Sequence, residues 1–294
     1  MLIGGATMRV ARWVRQAARV VEELAAAYDG SVRRRPVERR TDFSRCEHPV
    51  LLLHGFFSSR RTCAVLERRL RRDGMGVFTL DLGGLGGTLN TRGIDDLADL
   101  VRAKIERLYA RHPGLGPLTI VGHSKGGLIA AYYVKKLGGW RRTRAVVTLG
   151  TPHHGTPVAL LGLPVGFLAR SLWQLFPGSA FLRRLHDGPW PGQVRLVSIW
   201  SRDDGASPYP SAVIETHGLP HLANVEVQAH HAAFLTSQRV YQALLHEILA
   251  AIEAVPARRG PLTAMEGGRP ASRSAEADAP ARARPGGAAG TDAA

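Results

Sequence analysis

Residues 118–127 read Leu-Thr-Ile-Val-Gly-His-Ser-Lys-Gly-Gly, and no other stretch constrains the fold as tightly. β-branched Thr119, Ile120 and Val121 predict a strand. Leu128-Ile-Ala-Ala-Tyr-Tyr-Val134, with apolar residues at helical spacing, predicts a helix directly after it. A turn this sharp between strand and helix needs very small residues at Gly122 and Gly126, because a Cβ at either would meet the neighbouring strand and helix. It also leaves Ser124 exposed at the apex. A serine hydroxyl is a weak nucleophile until a base and a pair of oxyanion donors surround it, and such a turn is where they can be assembled. Ser124 is therefore a candidate nucleophile.

The rest of the chain repeats the alternation. Pro49–Leu53, Val77–Leu80, Leu118–Val121, Ala145–Leu149, Val194–Trp200 and Asn224–Val227 read as strands. Helical patterns cover Arg60–Arg72, Asp95–Arg111, the stretch after Ser124, and Arg239–Ala254. Strands separated by helices predict an α/β fold with a mostly parallel central sheet flanked by helices, its site beyond the carboxyl ends of the strands. Residues 155–192 hold no clear strand but are apolar (Leu160, Leu161, Phe167, Leu168, Leu172, Trp173, Leu175, Phe176) and read either as a helical cap inserted over the site or as a pair of ordinary core helices. Arg9–Tyr28 has an apolar stripe opposite arginines, which predicts an amphipathic helix that either docks on the domain or makes peripheral membrane contact through residues 9–28. With the Arg-rich linker at 30–45, the expected organisation is a helix and linker over 1–45 and a catalytic domain over 46–255. Residues 256–294, rich in Ala, Gly, Pro and Arg, are expected to form a disordered tail.

The formal charge of +15 over 294 residues is nearly all arginine. It is spread along the chain instead of forming an aromatic-interleaved basic block, which argues for a solvated cationic surface and against a nucleic-acid site. Only Cys46 and Cys63 are present, so no disulfide framework follows. No apolar run approaches the length of a membrane span. Arginines at 9, 12, 15 and 19 interrupt what would be the core of a signal peptide. A cytoplasmic location is expected.

Strand–G-x-S-x-G–helix turns carry their partners in the chain order Ser, acid, His. No carboxylate follows the Ala145–Leu149 strand until Asp187. The next strand ends at Ser201-Arg-Asp-Asp-Gly205, which offers Asp203 and Asp204. The loop after the last strand, Gln228-Ala-His-His-Ala232, offers His230 and His231. Oxyanion donors are expected from the backbone N–H of Lys125, which follows the nucleophile, and of Phe56 in the loop Leu53-His-Gly-Phe-Phe57. His54 reads as a structural histidine orienting that loop.

Together, His54-Gly-Phe, Gly122-His-Ser-Lys-Gly-Gly127 and Gly150-Thr-Pro-His-His-Gly-Thr156 resemble the bacterial lipase and esterase branch of the α/β-hydrolase superfamily, over residues 48–252. The resemblance implies an α/β-hydrolase fold and a serine hydrolase cleaving carboxylic esters, on a small-molecule or lipid substrate. It places the acid on Asp204, in S-x-x-D-G. It places the base on His231, whose spacing to Phe234, Leu235 and Val240 follows the H-x-x-[LF]-L pattern. It also implies that the cap, with Leu172 and Phe176 on one face of a helix, lines an acyl pocket. Lys125 departs from the family, in which Met, Gln or Leu is common there. Two other functions fit the same residues: an acyltransferase with the same triad, and a non-catalytic binding module on the same fold. No cofactor or metal is implied. The Gly-rich loop from Gly84 lacks the third glycine of a dinucleotide fingerprint, and His246-Glu247 lacks the second histidine of H-E-x-x-H. The adjacent His153 and His154 diverge as ligands.

Overall fold

Pro49–Leu53 is apolar at every position, so a strand here must be covered on both faces. The computed structural model describes residues 43, 46, 48–56, 58–83, 92–158 and 170–254, with Ala18, Glu22, Ala25 and Asp29. The described residues lie within one unit, Met1–Arg259. Six strands, β1 (Pro49–Leu53), β2 (Gly76–Thr79), β3 (Leu118–His123), β4 (Thr143–Leu149), β5 (Arg195–Trp200) and β6 (Leu222–Glu226), form one sheet. The strand order is β2-β1-β3-β4-β5-β6, and every pairing is parallel.

Alternate side chains sort to the two faces. Val50, Leu52, Val77, Val121, Val147, Val197 and Ile199 pack against α1 (Ala64–Arg72) and α6 (Gln238–Ala254). Leu51, Leu53, Ile120, Val146 and Leu196 pack against α2 (Ile94–Arg111), α3 (Lys125–Lys136) and α5 (Ala180–His186). The residues α2 buries, Ile94, Leu97, Ala98, Val101, Ile105 and Tyr109, follow helical spacing. Truncating one such leucine to alanine costs about 2–5 kcal/mol. Cys46 and Cys63 are both buried.

Some boundaries differ from expectation. α1 begins at Ala64 and not Arg60. Before it, Ser59 accepts at its carbonyl from Thr62 N (3.0 Å) and at its hydroxyl from Arg61 N (3.3 Å), a side-chain-assisted turn that competes with helix. β6 lies at Leu222–Glu226, two residues before the position expected at its start.

Within 155–192, the described residues hold two short helices, α4 (Arg170–Gln174) and α5, and no strand. Leu160, Leu161, Phe167 and Leu168 lie outside the described residues. The expected helix face carrying Leu172 and Phe176 is corrected: α4 ends at Gln174 and Phe176 lies beyond it. Pro177 disfavours helix at the residue before it, and Gly178 takes φ +72°. Leu172 is half-buried and Phe176 exposed, while Leu175, Phe181, Leu182 and Leu185 join the main core. Polar contacts tie this region to the first turn of α2. Arg170 pairs with Asp95 (2.8 Å) and Asp96 (2.9 Å), and Arg184 with Asp95 (3.4 Å). Gln174 donates to Asp95 (2.8 Å) and accepts from Ile94 N.

Of the expected N-terminal helix, Ala18, Glu22, Ala25 and Asp29 are helical and exposed. Its apolar stripe and the tail lie outside the described residues. Among those described, no helix is long and apolar enough to cross a membrane.

Candidate active site

Ser124 stands between β3 and α3 with φ 54° and ψ −126°, a conformation that costs an L-residue about 1–3 kcal/mol and persists only where the surroundings enforce it. They do so by close approach. A Cβ on Gly122 would come within 2.5 Å of the Gly127 backbone, and one on Gly126 within 2.3 Å of the Leu53 carbonyl. Ser124 N donates to the Leu149 carbonyl at the end of β4 (2.9 Å), and the Thr151 hydroxyl donates to the Ser124 carbonyl (2.9 Å).

Of the two carboxylates after β5, only Asp204 is buried. Its Oδ1 accepts from Ala206 N (2.9 Å) and Ser207 N (2.8 Å), a turn that fixes the side chain. His231 Nδ1 donates to both of its oxygens, at 2.9 and 3.0 Å. The Nδ1 proton is thereby committed to the carboxylate, which fixes the tautomer of the ring. Asp203 and His230 are exposed, and the His230 ring reaches only the Asp203 carbonyl (3.2 Å).

His231 is also braced from the side of Ser124. His123 Nε2 donates to the His231 carbonyl (3.0 Å), and the two rings lie 4.7 Å apart. Burial first, then the neighbouring His231, pulls the His123 pKa down to about 3. The neutral ring this implies suits its role as donor at Nε2. Thr151 and His123 are the supports that reading the sequence did not single out. The G-T-P-H segment and the residue before the serine were the signals present.

The β1 loop lies directly against Ser124: a Cβ on Gly55 would fall 2.8 Å from Ser124 Cβ. His54 Nδ1 donates to the Gly55 carbonyl (3.1 Å), and burial lowers its pKa to about 4. Phe56 follows. The Lys125 side chain is wholly buried, with Nζ 4.4 Å from the Phe56 ring centre and 3.4 Å from Ser171 Oγ on α4.

The two adjacent histidines of the G-T-P-H-H-G loop part company. His153 is buried and its Nε2 meets the Thr148 hydroxyl (3.0 Å), whereas His154 stacks on His186. Among the described residues, no group of three His, Cys, Asp or Glu is arranged to hold a metal ion. Glu247 is instead paired with Arg195 (2.7 Å).

A family model described as serine aminopeptidase, S33, matches residues 45–255. The chain belongs to this S33 hydrolase family. The parallel sheet of this S33 hydrolase, flanked by helices on both faces, is the α/β-hydrolase fold. Solved structures support that fold at low identity. A mature Bacillus licheniformis lipase, BlEst2, is 15% identical with a TM-score of 0.57, covering 73% of this chain and 96% of that one. A metagenome-derived structure described under the lipolytic enzymes LipS and LipT is 18% identical with a TM-score of 0.55, covering 71% and 95%. A monoacylglycerol lipase from Paleococcus ferrophilus is 15% identical with a TM-score of 0.52, covering 70% and 97%. No curated protein matches the S33 hydrolase in sequence.

Proposed function

We propose that this protein hydrolyses carboxylic esters through Ser124, His231 and Asp204. The observation that carries the reading is the buried Asp204–His231 pair, with Nδ1 2.9 Å from the carboxylate, on the same rim of the sheet as a serine held at positive φ. In the first step Ser124 Oγ attacks the acyl carbonyl while His231 Nε2 takes its proton. The Phe56 and Lys125 N–H groups receive the charge that develops on the carbonyl oxygen. Collapse of the tetrahedral species passes the proton from His231 to the leaving alcohol and leaves an acyl-serine. Water, deprotonated by the same histidine, then releases the acid and regenerates the serine. Asp204 holds the imidazole tautomer and stabilises the imidazolium. The lipase and esterase structures of the same fold favour esters over the amides that the family's description names.

A panel of p-nitrophenyl esters of increasing acyl length, with an aminoacyl p-nitroanilide as the amide arm, tests the substrate class. Turnover of the esters well above that of the anilide is expected. A competing alcohol in the same assay separates hydrolysis from acyl transfer by its ester product. Ser124→Ala should reduce ester turnover by several orders of magnitude with the thermal midpoint not lowered. Activity within about tenfold of the parent would refute the reading.

A further inference from the structure

The reaction above uses only the backbone N–H of Lys125, yet its side chain is placed at a cost. It is the first residue of α3, where the positive end of the helix dipole disfavours a cation. It is wholly buried, and burial alone draws its amine well below the ordinary lysine range. A lysine that stands where an apolar side chain of similar length would escape both penalties calls for a role for its nitrogen. That nitrogen lies over the Phe56 ring in the β1 loop and beside the hydroxyl of Ser171, a wholly buried residue of α4. The nitrogen donates towards the Ser171 hydroxyl at 3.4 Å while it lies over the face of the Phe56 ring, so one atom touches both neighbours. Three segments distant in sequence, the β1 loop, the nucleophile helix and the insertion, thus meet at one atom.

We infer that Lys125 is a positioning residue whose amine couples the seating of α4 to the orientation of the Phe56 N–H, so that the oxyanion donors are aligned when α4 is in place. The inference rests on the serine-hydrolase reading and on Phe56 as the second donor. Its geometry makes the donor from the β1 loop, unlike that from Lys125 itself, dependent on a contact outside the loop. The energetic signature follows from where the oxyanion exists. A donor displaced by a fraction of an ångström weakens the tetrahedral species and leaves ground-state binding nearly untouched.

Lys125→Met fills the same volume, keeps the backbone N–H and removes the amine. For p-nitrophenyl butyrate, kcat should fall about tenfold or more with KM within about threefold. Affinity for an alkyl boronic acid, whose tetrahedral adduct with the serine occupies the oxyanion hole, should fall in parallel. The thermal midpoint should hold or rise, because the burial penalty is relieved. Ser171→Ala, which removes one hydroxyl, should show a smaller loss of the same kind and add little in the double variant. A folded Lys125→Met with kcat and boronate affinity within twofold of the parent would make the lysine a space-filler and overturn the inference. If Lys125→Met does not fold, unchanged kcat in Ser171→Ala overturns it. Ser124→Ala separates the two levels. If that variant stays active, the hydrolase reading falls. If it is inactive while Lys125→Met and Ser171→Ala behave as the parent, only the coupling falls.

Discussion

His230 and His231 are chain neighbours with opposite fates, and the difference lies in what each ring nitrogen can reach. His231 Nδ1 has a buried carboxylate at 2.9 Å, while the His230 ring has a carbonyl at the surface. His231→Ala should therefore reduce kcat/KM by several orders of magnitude and His230→Ala by less than about threefold. Likewise Asp204→Asn should cost far more than Asp203→Asn. Steady-state kinetics on one activated ester checks both pairs, and a reversed order in either moves that assignment by one residue. Ser124 was legible in the chain because its demands are local: two glycines, a strand before and a helix after. Position at a strand end does not separate Asp203 from Asp204 or His230 from His231, because a one-residue slip in a loop violates no periodicity. The family pattern made the choice. His123 and Thr151 escaped notice because their contacts, to the His231 carbonyl and the Ser124 carbonyl, exist only once distant strands are paired.

Among the elements, the strands were the easiest to read, since a run apolar on both faces has few places to go other than a covered parallel sheet. The insertion was harder. Its apolar residues read as a helical cap or as ordinary core helices, and the described part divides its labour. α5 and Leu175 complete the core, and α4 is held to the start of α2 by polar groups. Periodicity could not foresee that division, because Leu175, Phe181 and Leu182 look the same in sequence whether they line a pocket or a core. The polar tie is testable. Asp95 takes Arg170, Arg184 and the Gln174 amide, and Asp95→Asn should lower the thermal midpoint by a few degrees, on the order of 1 kcal/mol for a partly exposed network. Calorimetry in about 1 M NaCl, where screening acts within about 3 Å, should show the gap to the parent shrinking. A gap unchanged by salt would assign the loss to hydrogen bonding alone.

For the molecule as a whole, three histidines buried neutral set the acid limit. The pKa of His54 is lowered to about 4, and those of His123 and His153 to about 3, in each case chiefly by burial. In the unfolded chain each titrates near 6.5. Above that pH neither state binds these protons and stability is unaffected. As pH falls from 6.5 towards 4, the unfolded state alone takes them up, and each histidine removes about 1.4 kcal/mol of stability per pH unit. Thermal midpoints should decline steeply between pH 6.5 and 4. His153→Gln, away from the proposed chemistry, should flatten that decline by about a third if the three contribute equally. An identical slope in that variant would show that other groups govern acid unfolding. Ser124, the proposed nucleophile, presents the converse trade. At φ 54° Ser124 occupies backbone territory that suits glycine. Ser124→Gly should thus raise the midpoint by about 2–4 °C, after the added freedom of the unfolded chain is discounted. Selection for heat resistance and selection for turnover pull this one codon in opposite directions. A directed-evolution campaign that ranked survivors by melting temperature alone would drift toward an inert scaffold.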